Sequence, residues 1–162
     1  MADSLNIISG AANISVDGTT VGYTQNGVTL EMNADIEVVE SVSSEATAVK
    51  AIKRNEKFFV VTNLAEATLE NLKIAWGIDT AIAANTLHFG GDSTVPEHTL
   101  VVTGEAPGSK TTRTVTFYKA ISVEYSGTTY KKDDIVYIPV RFRILLDKSK
   151  DSGKQLGNIV DS

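Results

Sequence analysis

Val28-Thr29-Leu30-Glu31-Met32-Asn33-Ala34-Asp35-Ile36-Glu37-Val38 decides how this chain is read. Its even positions, Val28, Leu30, Met32, Ala34, Ile36 and Val38, are apolar, and its odd positions are polar. A period of two places alternate side chains on opposite faces of a strand, one apolar and one wet. The run is long, since most strands have about 5–6 residues. The segment Ser41–Ala48 is rich in Ser, Ala and Thr and reads as a loop. Apolar content resumes over Val49–Thr62 and ends in Phe58-Phe59-Val60-Val61. Two long strands around a polar loop predict an extended hairpin over 28–62.

Outward from this hairpin, most segments also read as strands. Residues 1–27 are expected to form an N-terminal arm with short strands, with turns at Asp17-Gly18 and Asn26-Gly27. Residues 63–77 read as a helix. Asn63 is placed to cap it, and Glu66 completes a capping-box pair. Leu69, Leu72 and Trp76, with Ala65, follow helical spacing and form its expected core face. Gly77 supplies the stop.

Residues 78–147 hold the remaining strands. These include a short one over Thr86–Phe89 and another over Thr99–Thr103. Arg113–Val123 is a further candidate, with Val115, Phe117, Ile121 and Val123 on one face. In Ile135–Leu146 the even positions are apolar, and Pro139 marks an edge or a bulge. Residues 148–162 are charged and Gly-containing and read as a loose C-terminal arm. The expected fold class is mainly β, with two packed antiparallel sheets, sandwich- or barrel-like, and one flanking helix. The 162 residues are expected to form one domain.

Composition narrows the function. The formal charge of −5 argues against a dedicated nucleic-acid binder. The absence of cysteine excludes disulfides, thiolate metal sites and a Cys nucleophile. No apolar run approaches the roughly 18 residues of a membrane helix, and the N-terminus shows no secretory pattern. The two histidines, His88 and His98, have no metal-ligand spacing with Glu97 or Asp92. Gly90-Gly91 is followed by no Gly-Lys-Ser/Thr, so it is not a phosphate loop. No nucleophile-elbow pattern occurs. No enzymatic activity and no cofactor is expected.

Three passages carry a resemblance. They are Val21-Gly22-Tyr23-Thr24-Gln25-Asn26-Gly27-Val28-Thr29-Leu30, which runs into the long acidic strand; Asn63-Leu64-Ala65-Glu66-Ala67-Thr68-Leu69-Glu70-Asn71-Leu72, after the hairpin; and Ile138-Pro139-Val140-Arg141-Phe142-Arg143-Ile144-Leu145-Leu146-Asp147, before the tail. In this order the chain resembles the major tail tube proteins of long-tailed, siphophage-type bacteriophages. The resemblance implies a structural virion protein, made in the host cytoplasm, which self-assembles into stacked rings of about six subunits. The hairpins would close into a barrel around a bore through which DNA passes without specific binding. Tape-measure, terminator and distal tail proteins are the other implied partners. The inner tube of a contractile tail is an alternative, as is a β-sandwich binding or decoration module.

On this reading Glu31, Asp35 and Glu37 face the lumen. Their negative charge would repel DNA, which carries one charge per about 1.7 Å of axis. The plainer reading is a solvated strand face. Leu30, Met32, Ile36 and Val38 would form the apolar face of the hairpin between subunits. Residues 1–50 carry seven acids against the single base Lys50, followed by Lys53, Arg54 and Lys57. Opposed patches of this kind suit pairing between stacked rings; ordinary surface charge is the simpler reading. Arg141 and Arg143 are expected to be exposed or paired with acids, because two arginines make no basic track.

Overall fold

The computed structural model describes residues 8, 10–40, 48–91, 93–124 and 127–162. The order of elements is β1 (Asn13–Val16), β2 (Thr19–Thr20), β3 (Thr24–Glu40), β4 (Ala48–Leu64), α1 (Leu69–Ala75), β5 (His98–Glu105), β6 (Thr112–Val123), β7 (Ile138–Ile144) and β8 (Gly157–Asp161). The fold is mainly β with one helix among the described residues, as the patterning predicts. All strand pairs are antiparallel, and the strands form one continuous sheet in the order β2-β1-β5-β6-β7-β4-β3. This sheet folds over on itself, so that two halves pack face to face.

β6 makes the fold-over possible. Over Arg113–Phe117 one of its edges pairs with β8, and over Ala120–Val123 it pairs with β7. The change falls at Tyr118 and Lys119, where the β5 register slips between His98/Ala120 and Leu100/Phe117. The half that contains β7, β4 and β3 thereby returns over β1, β5 and β6. The rings of Phe58 on β4 and Phe117 on β6 meet with centroids 5.3 Å apart.

Between the halves lies the core, built from Ile14, Val16, Val60, Leu64, Leu100, Val102, Val115, Phe117, Ala120, Ile138, Val140, Phe142 and Ile144. In β7 the alternation places Ile138, Val140, Phe142 and Ile144 inside. In β6 the slip changes the phase. Val115 and Phe117 are followed inward by Ala120 and Ser122, so Ile121 and Val123 lie on the opposite face from the one expected. An extra residue in one strand reverses every later side chain.

Several local expectations are corrected. The helix is shorter than 63–77, because Asn63 and Leu64 belong to β4, where Leu64 pairs with Ile138. The cap is Thr68, whose Oγ1 accepts the Asn71 amide at 3.2 Å. Glu66 instead accepts from the Tyr23 amide and sits over Gly22, leaving no room there for a Cβ. Gly77, at φ 59, does follow the helix end. The buried face of α1 centres on Asn71 and Ala75; Leu72 and Trp76 are partly buried against the core, and Leu69 is partly exposed. Asn71 Nδ2 donates to the carbonyls of Val21 and Glu66, which satisfies a buried amide.

Asp17-Gly18 makes the expected turn, with φ of 51° and 81°. Asn26-Gly27 does not turn the chain. It is a bulge inside β3, between Gln25/Asn63 and Val28/Thr62. Thr86–Phe89 contributes only an isolated bridge from Thr86 to Ala83.

The C-terminal segment is not loose within its own chain. β8 pairs with β6, and Arg113 grips Asp161 through two hydrogen bonds of 2.7 Å. The Ser41–Ala48 loop and the first seven residues fall almost wholly outside the described residues.

Candidate assembly surface

β3 and β4 are each 17 residues long, a ribbon of about 55 Å at about 3.3 Å per residue. β7 supports β4 only over Phe59–Leu64. From Ala48 to Phe58, β4 pairs with β3 alone, and β3 ends the sheet order. The outer half of the ribbon is therefore a two-stranded hairpin with both edges unpaired among the described residues. A hairpin of this kind is marginally stable by itself in water, and free edges invite further strands.

Side-chain exposure agrees with this geometry. Leu30, Met32, Ile36 and Val38 are 40%, 50%, 68% and 51% exposed. Patterning alone marks these residues as buried, but no described residue of the chain covers the outer ones. At the base, Leu30 overhangs a cleft of about 210 Å³ lined by Val28, Val102 and Val115. The four residues lie on the face that continues into the core at Val60 and Phe58, which pair with Leu30 and Met32.

On the opposite face lie Glu31, Asp35 and Glu37. Across β4 they align with Phe59, Arg54 and Ile52. Lys57 and Lys50 oppose Asn33 and Val39, so these cations share the face. Each carboxylate already has a partner within the chain. Glu31 pairs with Arg141 at 3.0 Å, Asp35 accepts from Asn55 Nδ2 at 2.8 Å, and Glu37 pairs with Arg54 at 3.0 Å. Arg141 also reaches Glu124 at 3.4 Å and lies 4.2 Å over the Phe59 ring. A uniformly acidic wall is thus absent. The face is a lattice of both signs, because the register brings the basic residues of β4 and β7 beside the acids of β3.

Sequence spacing missed one constellation. His98 Nδ1 lies 2.7 Å from Asp17 Oδ2, and Asp17 Oδ1 accepts the Thr99 amide at 2.8 Å. The turn at Asp17-Gly18 and the β1–β5 pairing bring together residues far apart in the chain. Nε2 of His98 is buried without a hydrogen-bond partner among the described residues. Among those residues, no group of three or more His, Asp or Glu is arranged to hold a metal ion. His88, Glu97 and His98 are not brought together as ligands, and Asp92 lies outside the described residues. Glu97 pairs with Lys119 at 3.0 Å. Trp76 packs edge-on against Phe89, with centroids 5.9 Å apart, rather than facing a ligand. No described helix is long and apolar enough to cross a membrane.

No protein-family model matches the chain, and no curated protein matches it. A solved structure does resemble it, a chain from a cryo-EM structure of the sheath/tube terminator of PVC, an extracellular contractile injection system, in the extended state. The TM-score is 0.52, with coverage of 94% of this chain and 93% of that one. The sequences are 9% identical, so the likeness is one of fold.

Proposed function

We propose that this chain is a structural subunit of a tail-like particle, and that it assembles into rings through the β3–β4 ribbon. The observation that carries this reading is the outer half of that ribbon, with two free edges and the exposed apolar residues Met32, Ile36 and Val38. Joining ribbons edge to edge into a closed barrel removes every free edge, and the apolar face, turned away from the bore, is then covered by the bodies of neighbouring subunits. The tail-like fold supports the same reading.

In such a ring the face bearing Glu31, Asp35 and Glu37 turns toward the bore. Within each subunit its carboxylates are partnered by Arg141, Asn55 and Arg54, and Lys50 and Lys57 share the face. A lining that interleaves both signs offers phosphate no continuous basic track, so DNA or another polyanion would pass without being gripped. Stacked rings would then form a tube.

A second reading is a terminal ring that caps a contractile tube, favoured by the resemblance over nearly the full length to a chain from a sheath/tube terminator structure. Negative-stain images of the purified protein at high concentration separate the two. Tubes of many rings support the tube, and single rings of fixed height support the cap. Compact monomers under all conditions would overturn both.

A further inference from the structure

The two edges of the ribbon differ in charge. β3 carries four carboxylates, Glu31, Asp35, Glu37 and Glu40, and no cation. β4 carries four cations, Lys50, Lys53, Arg54 and Lys57, and the single carboxylate Glu56. The register places Glu31, Asp35 and Glu37 on the same face as Lys50, Arg54 and Lys57. Lys53 faces the other way, beside Ile36, and pairs with Glu56. Lys50 and Lys57 have no carboxylate within ion-pair distance among the described residues. One ribbon face is thus acidic along one edge and basic along the other.

We infer that this asymmetry selects the partner of each edge: β3 of one copy takes β4 of a second copy, and never its β3. The inference rests on the ring reading above and adds the polarity of the contact. Opposite charges stabilise directly opposed cross-strand positions, and like charges there destabilise. A β3–β3 contact sets carboxylate against carboxylate, and a β4–β4 contact sets cation against cation. Either would give a two-fold dimer and end growth. The β3–β4 contact is head-to-tail, the kind that closes into a ring. Discrimination comes as much from the repulsion in the wrong pairs as from attraction in the right one. Lys50 and Lys57, which have no carboxylate partner among the described residues, would find one on the neighbour. The acidic and basic patches thus act within a ring rather than between stacked rings.

Two variants test this. On the shared face, Asp35→Lys with Glu37→Lys makes the β3 edge net positive like that of β4, and Lys50→Glu with Lys57→Glu makes the β4 edge net negative like that of β3. All four positions are exposed, so circular dichroism should match that of the unaltered chain. Asp35→Lys with Glu37→Lys also loses the exposed contacts to Asn55 and Arg54, so its melting curve should fall slightly, and assembly is compared at a temperature where every variant is folded. Sedimentation velocity at low salt then reads assembly. Each variant alone should need a concentration roughly tenfold or more above that of the unaltered chain to assemble. An equimolar mixture should assemble near the unaltered concentration, since basic and acidic copies then alternate. Added salt should ease the defect of each variant alone. If the unaltered chain assembles but the mixture does no better than its components, charge polarity is overturned and the ring survives. If the unaltered chain stays monomeric in every condition, both fall.

Discussion

The guanidinium of Arg141 on β7 lies 3.0 Å from the carboxylate of Glu31 on β3, two strands away across β4. It spans the ring of Phe59 to reach there, with its centre 4.2 Å from the ring centroid. This contact ties the base of the projecting ribbon to the body, on the face opposite the core.

Replacing Arg141 by Ala should loosen that base. The cost combines a partly exposed ion pair, a stacked cation and the packing of the arginine stem, together about 1–2 kcal/mol. Urea unfolding of the monomer measures it. Arg141→Lys should recover less than half, because an ammonium neither forks between Glu31 and Glu124 nor stacks as a plane. Full recovery by lysine would show that charge alone matters.

Ile36 and Phe142 are both apolar and both on strands, yet they should respond oppositely. Phe142 is wholly buried, and Phe142→Ala should cost about 3–5 kcal/mol of stability. Ile36 is open to solvent in the single chain, so Ile36→Asp should move monomer stability by less than about 0.5 kcal/mol. The same substitution should abolish assembly, since it carries a charge into the covered face. Tubes or rings of normal yield from Ile36→Asp would contradict an apolar contact there.

Asn71→Leu removes the donor that serves the carbonyls of Val21 and Glu66. Two acceptors then lose their partner beside the helix, one in a buried setting, at a cost of about 2–3 kcal/mol. Urea unfolding should register the loss. Amide exchange should rise first around Val21 and the start of α1, ahead of the central strands.

Docking of β8 should depend on acid. Asp161 is held below the usual carboxylate range, first by its hydrogen bonds to Arg113 and then by that cation's field. A carboxylate depressed in the folded state contributes stability above its unfolded pKa of about 3.9, and loses it as pH falls through the folded value. Protection of the β8 amides, taken relative to the intrinsic exchange rate at each pH, should therefore fall below about pH 4. Asp161→Asn should flatten most of that dependence. Asp147, held low chiefly by Ser149, contributes a remainder of the same sign. A separate variant, Gly157→Ala, should undock β8 at any pH, because the new Cβ would sit 2.2 Å from the Thr116 carbonyl oxygen.

The strands whose two faces differ most were the most legible. β7 and the inner part of β3 follow a strict period of two, and both appear as read. What escaped was whatever depends on a partner far along the chain. Asn63 and Glu66 satisfy the local rules for a helix start, yet the ladder from β4 to β7 claims Leu64 first, and the helix waits for Thr68. Asn26-Gly27 has the backbone freedom for a turn and spends it on a bulge, because the strand continues on both sides. The slip at Tyr118 and Lys119 leaves no mark in composition, so Ile121 and Val123 were placed on the wrong face. β8 is short, with Ile159-Val160 between polar or glycine neighbours, and becomes a strand because β6 offers an edge. Of the assembly surface, the apolar stripe and the acids were visible. The cations were visible as a basic patch too, but not which acids they meet, since a register shift between Asn33 and Asp35 decides which β4 residues face them.

The ribbon leaves the body at one place. The Gly27 carbonyl accepts from the Thr62 hydroxyl at 2.9 Å beside the bulge at Asn26. Beyond the support of β7, Ala48–Phe58 extends for about 35 Å at about 3.3 Å per residue. Mechanically this is a lever with a short fulcrum. A tilt of about 5° at the base sweeps the tip through about 3 Å, most of the spacing between neighbouring strands. The bore diameter of any particle built this way would thus be set by a few atoms near its rim.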